Sequence, residues 1–157
     1  MGWRGIPVVS GLVQPGAARE VRTASVVLLP HAPASVSAAR GQLGDHLRRA
    51  GIVTQAVGDA TLVVSELLSN AILHARPLPG SWVQFAWALR EGSLEVAVSD
   101  GGGITRPRPA HPSLSCVGGR GLAIVEHLSC RWGVCATAFG VTVWAVLPAQ
   151  YWPRRQA

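Results

Sequence analysis

Three residues in the stretch SELLSNAILHA, residues 65–75, stand at four-residue intervals: Glu66, Asn70 and His74. With about 3.6 residues per turn, they fall on nearly one line of a helix. Leu62, Val63 and Leu73 lie on the same side, so this is not a clean solvent face, and a carboxylate among leucines needs a partner. A glutamate and an asparagine one turn apart offer hard oxygen ligands. Such ligands suit Mg²⁺, which takes few protein groups and completes its shell with water and phosphate. Taken alone, the pair is more commonly a partly wet polar stripe on a surface helix.

Two further places carry chemistry. Asp100 ends an apolar run and is followed by Gly101, Gly102 and Gly103. Glycines there let another molecule approach the backbone, and an inward aspartate can accept a hydrogen bond from an amino group such as that of adenine. Asp-Gly after a strand is also a common turn signal. The third place is GGRGL, residues 118–122, a glycine turn opening a helix, where backbone N–H groups bind phosphate. It is no Walker loop, because the chain has no lysine, and no Rossmann fingerprint, because a proline-rich loop precedes it. Each signal is weak by itself. Together they supply a metal site, a base-sized acceptor and a phosphate cradle.

The elements that must position these groups follow from periodicity. SVVLLP, 25–30, reads as a short strand ended by proline. A helix follows, capped by Ser35 or Ser37, with Val36, Ala39, Leu43 and Leu47 at helical spacing, weakened by Gly41 and Gly44 and ended by Gly51. A second helix runs from about Gln55 to Ala75 and stops before Pro77 and Pro79. The period then changes to two. WVQFAWAL and LEVAVSD form a hairpin across EGS, with Asp100 on the face of Val96 and Val98. A proline- and arginine-rich loop leads to a helix opened by GGRGL, and RWGVCATAFG leads into a last strand, VTVWAVLP. Strand, helix, helix, strand, strand, helix, strand without regular βαβ units predicts an α+β two-layer sandwich, with helices on one face of a mainly antiparallel sheet.

Composition bounds the rest. The chain has 157 residues, 48% apolar and 14% charged, enough for one domain with a sizeable core. Residues 1–24 read as a flexible tail, 25–149 as the domain and 150–157 as a short second tail. Net charge is +6, carried by arginine alone. The arginines, among them Arg4, Arg19, Arg22, Arg48, Arg49, Arg154 and Arg155, form no long run and are not interleaved with aromatics, which argues against direct nucleic-acid binding. Cys116, Cys130 and Cys135 show no disulfide framework, and His127 with Cys130 and Cys135 lacks the paired spacing of a zinc site. No signal peptide and no uninterrupted membrane-spanning run is read, so the expected compartment is the cytoplasm, with no membrane contact. Trp82, Trp87, Trp132 and Trp144 are read as core or interface.

ELLSN, DGGG and GGRGL, in this order, resemble the GHKL ATPases: gyrase, MutL, the histidine kinases and the anti-sigma factor serine kinases. With LVVSELLSNAILHA, VSDGGG, GRGLAIVEHLSCRWG and a closing VTVWAVL, the chain is most similar, over about residues 26–148, to the small bacterial anti-sigma regulatory factor kinases. The resemblance implies a Bergerat ATP-binding fold with ATP and Mg²⁺ as cofactors. It makes Asn70 the magnesium ligand and Glu66 the general base. Asp100 would recognise adenine beside Gly102 and Gly103, and the turn from Gly119 through Arg120 and Gly121 to Leu122 would lie on the phosphates. Thr142 matches a threonine near adenine. Ile104 to Val117 would be the ATP lid, with Arg106, Arg108 and Arg120 able to meet phosphate. For His74, near its helix's C-terminal end, a structural role is at least as good a reading as a catalytic one.

Two departures stand out: Ile104 replaces the second glycine of D-x-G-x-G, and Val141 stands where related kinases often carry lysine. The resemblance implies a serine/threonine kinase that transfers the ATP γ-phosphoryl group to a serine of an anti-sigma antagonist protein, working as a homodimer. The alternative is a non-catalytic module that uses ATP to hold or release a sigma factor or other regulatory partner.

Overall fold

The computed structural model describes residues 21–103 and 119–152. Ile104 to Val117, with Arg106, Arg108 and Cys116, and residues 1–20 and 153–157 lie outside the described residues.

The hairpin is the centre of the sheet. β2 (Trp82–Arg90) and β3 (Ser93–Asp100) pair antiparallel, with Leu89 opposite Leu94 and Phe85 opposite Val98. Alternation sends Val83, Phe85, Trp87, Leu89, Leu94, Val96 and Val98 to one buried face. β1 (Val21–Pro30) extends the sheet beside β2, and β5 (Gly140–Pro148) extends it beside β3. β4 (Arg131–Thr137) pairs with the outer side of β5. The order is β1-β2-β3-β5-β4, antiparallel throughout.

Three helices, α1 (Ala34–Arg49), α2 (Thr54–His74) and α3 (Gly119–Leu128), join that face through one core. Leu43 and Leu47 of α1, Val63, Val64, Leu67 and Leu68 of α2, and Val125 of α3 are buried in it. Removing one such side chain, as in Leu68→Ala, costs about 2–5 kcal/mol. The expected two-layer α+β sandwich is therefore what forms. α2 also has the length and mean hydropathy, 1.4, of a membrane-crossing helix. Here that apolarity serves the core, since α2 packs on α1, α3 and the sheet.

The structure departs from the expected elements in four places. β4 is an additional strand, in RWGVCATAFG, which was read only as a lead-in. It is an edge strand with Arg131, Val134, Cys135 and Ala136 exposed, so no alternation of polarity marks it. β1 begins at Val21, inside the stretch read as tail, because Val21 pairs with Arg90 at the far end of β2 and Arg22 stacks 5.0 Å from the Tyr151 ring. The expected C-terminal tail is tied down as far as Trp152: Val53 N–H donates to Gln150, and Trp152 N–H donates to Gly51. Neither Ser35 nor Ser37 caps α1. The Ser35 hydroxyl instead donates to the Pro30 carbonyl, fixing the turn out of β1.

Candidate functional site

α2 carries the first half of the site. Its buried stripe, Val57, Ala60, Val63, Val64, Leu67, Leu68 and Ala71, fixes the helix's rotation. Glu66 and Asn70 then fall half-buried at the edge of that stripe, while Leu62 and Leu73 are 42% and 70% exposed. The mixed line seen in the sequence is the border between core and solvent.

α3 meets that border. A Cβ built on Gly121 would come 2.5 Å from Glu66 Oε2 and 3.7 Å from Asn70 Nδ2. The backbone of the first turn of α3 therefore passes against both polar side chains, so closely that an added methyl would push the Glu66 carboxylate aside. This brings together Glu66, Asn70 and Gly121, and the N–H groups at a helix start favour an anion at the same point. Gly119 opens α3, and Leu122 faces the cavity described below. Nothing is described for the side chain of Arg120.

β3 carries the second half. Asp100 closes the strand and is 6% exposed. Its Oδ1 accepts the Gly102 N–H at 2.7 Å, so Asp100 does form the turn that Asp-Gly suggested, and it lines the cavity as well. Burial raises its carboxyl above the ordinary aspartate value, while the Gly102 N–H and the nearby His31 pull it back towards ionisation. Gly101 donates to the Arg76 carbonyl at 2.7 Å and Arg76 donates to Gly102 at 3.0 Å, which locks this turn to the exit of α2. From the other side the β4–β5 turn closes so tightly that any Cβ on Gly140, whose φ is +155°, would overlap the Asp100 carbonyl oxygen.

Between the halves lies a cavity of about 220 Å³. Asn70, His74 and Asp100 are its polar lining, Gly103 is at its edge, and Leu67, Ala71, Val98, Leu122, Val141 and Val143 supply apolar walls. Its apolar walls suit a heterocycle, with Asp100 as the acceptor.

Thr142 is not brought to this cavity. It pairs with Ser99 on the opposite face of the sheet, and the two hydroxyls are 2.7 Å apart. The residue facing the same way as Asp100 is Val141, its cross-strand partner. His74, exposed at the end of α2, lines the cavity and so stands closer to the chemistry than a purely structural residue would. Sequence reasoning missed Ala71, Val134, Val141 and Val143 as walls. Strand alternation continued from Asp100 across to β5 would have found the last two. Among the described residues no group of three or more His, Cys, Asp or Glu could hold a metal on its own. The donors present are Asn70 and Glu66, hard oxygens that fit magnesium shared with a phosphate.

Comparison with known proteins shows the family and the fold. A family model described as a histidine kinase-like ATPase domain matches residues 29–146. The chain is 31% identical over 112 residues to the serine-protein kinase RsbW of Listeria monocytogenes, covering 64% of this chain and 71% of that protein. The RsbW of Listeria innocua matches with the same identity and coverage. Among solved structures, the RsbU and RsbW domains of a Mycobacterium tuberculosis protein superpose with a TM-score of 0.63 at 22% identity. That alignment covers 83% of this chain and 35% of the other, and it shows the fold.

Proposed function

The chain belongs to the histidine kinase-like ATPase domain family, and from that premise we propose that it is an ATP-binding regulatory protein of the RsbW kind, a serine/threonine protein kinase acting on a serine of an antagonist protein. The observation that carries this reading is the convergence of Asp100, Asn70 and the first turn of α3 on one cavity.

The roles follow from position. Asp100, with Oδ1 held by Gly102, presents a carboxyl oxygen to the exocyclic amino group of adenine. Val98, Val141 and Leu122 exclude water around the base. Asn70 would hold magnesium, which neutralises triphosphate charge. The N–H groups from Gly119 to Leu122 would take the phosphate oxygens. Glu66, half-buried beside the first turn of α3, can accept the proton of the serine hydroxyl as that oxygen bonds to the γ-phosphorus and the bond to ADP breaks. On this reading the molecule is a cytoplasmic regulator that works with an antagonist protein and a sigma factor, and as a homodimer.

Incubation with γ-labelled ATP and candidate antagonist proteins tests the proposal. Transfer to a serine, lost in Glu66→Ala while ATP binding persists, supports it. ATP binding without transfer to any candidate would leave a nucleotide-gated binding module in place of a kinase.

A further inference from the structure

His31, in the turn between β1 and α1, has no role in the mechanism above. Its Nε2 lies 3.0 Å from the Ala71 carbonyl oxygen. A carbonyl only accepts, so Nε2 carries the hydrogen and donates. The His31 backbone N–H donates to Ser81 at 2.9 Å. One residue thus ties the entry to α1, the turn before β2, and the turn of α2 that holds Asn70 and Ala71.

We propose that His31 is a positioning residue for the nucleotide cavity: its ring pins the turn of α2 at Ala71, which lines the cavity next to Asn70. The inference rests on the ATP-binding reading above.

Two variants test the pin. His31→Gln keeps a side-chain N–H for the Ala71 carbonyl, whereas His31→Ala keeps none. By calorimetry on the full chain, His31→Ala binds ATP about fivefold or more weakly than the parent, and His31→Gln restores binding to within about twofold. Parent-like binding by His31→Ala, or equal losses in the two variants, overturns the inference. If the parent chain binds no ATP, the functional reading fails by itself. Amide hydrogen exchange in the last turn of α2 then decides the role of His31: it speeds up in His31→Ala and stays parent-like in His31→Gln if the inference holds, and is unchanged in both if it does not.

Discussion

The backbone of Gly121 lies against the carboxylate of Glu66, so closely that a single added methyl group would sit 2.5 Å from Oε2. α2 and α3, far apart in sequence, meet here at a contact between a candidate base and a glycine.

The first prediction concerns that contact. Gly121→Ala pushes its methyl against the flexible end of Glu66 while gaining the roughly 1 kcal/mol by which alanine exceeds glycine in a helix, so denaturant unfolding registers a net change within about 1 kcal/mol. Glu66→Ala in the same chain removes the overlapped group, so the double variant is more stable than additivity by about 0.5 kcal/mol or more. Additive changes would show that the two residues do not touch.

Asp100 gives the second prediction. Burial raises its carboxyl in the folded state, so the stability linked to its proton is fully present below the unfolded value and is lost as pH rises through the folded value. Above that folded value the ionised side chain is therefore a cost to the nucleotide-free fold. Asp100→Asn keeps an oxygen for the Gly102 N–H and removes that cost. It raises the thermal midpoint of the free protein while weakening ATP binding more than about tenfold. In the parent, ATP affinity falls as pH drops through the raised value. A midpoint that falls in Asp100→Asn, with affinity unchanged, would contradict this.

The third prediction uses the two faces of β5. Val141 faces the cavity and Thr142 faces Ser99. Val141→Trp fills the cavity and weakens ATP binding more than about tenfold with the fold retained. Thr142→Val loses a hydrogen bond at a residue 8% exposed. It costs about 1 kcal/mol of stability and leaves ATP affinity within about twofold. The opposite pattern, with Thr142→Val impairing binding, would place the nucleotide on the other face of the sheet.

The fourth concerns chemistry. Glu66→Gln keeps the shape of the α2–α3 border and removes the base. ATP binding stays within about threefold, and transfer to the antagonist serine falls about 10²–10⁴-fold. Equal losses in binding and transfer would make Glu66 a ligand contact and not a base.

Much of this architecture is legible in the chain because it follows from local periodicity. The change of period from 3.6 to 2 after Pro79 marks where α2 ends and the hairpin begins, and the same alternation puts Asp100 on the core side. What periodicity could not supply was pairing. β4 buries little of its own surface and leaves no pattern, and β1 reaches back to Val21 because β2 is long enough to hold it. Thr142 shows the same limit. Its residue type suits a nucleotide, but register against Ser99 decides the face it occupies. His31 was not visible at all, since its contact with Ala71 spans 40 residues and carries no motif.

The most direct measurement is calorimetric titration of the full chain with ATP, with and without magnesium, alongside Asn70→Ala. The account predicts saturable one-to-one binding, tighter than about millimolar, that weakens sharply when magnesium is chelated and responds little to chelation in Asn70→Ala. Binding that is indifferent to magnesium in the parent chain, or no binding at about millimolar ATP, would contradict it.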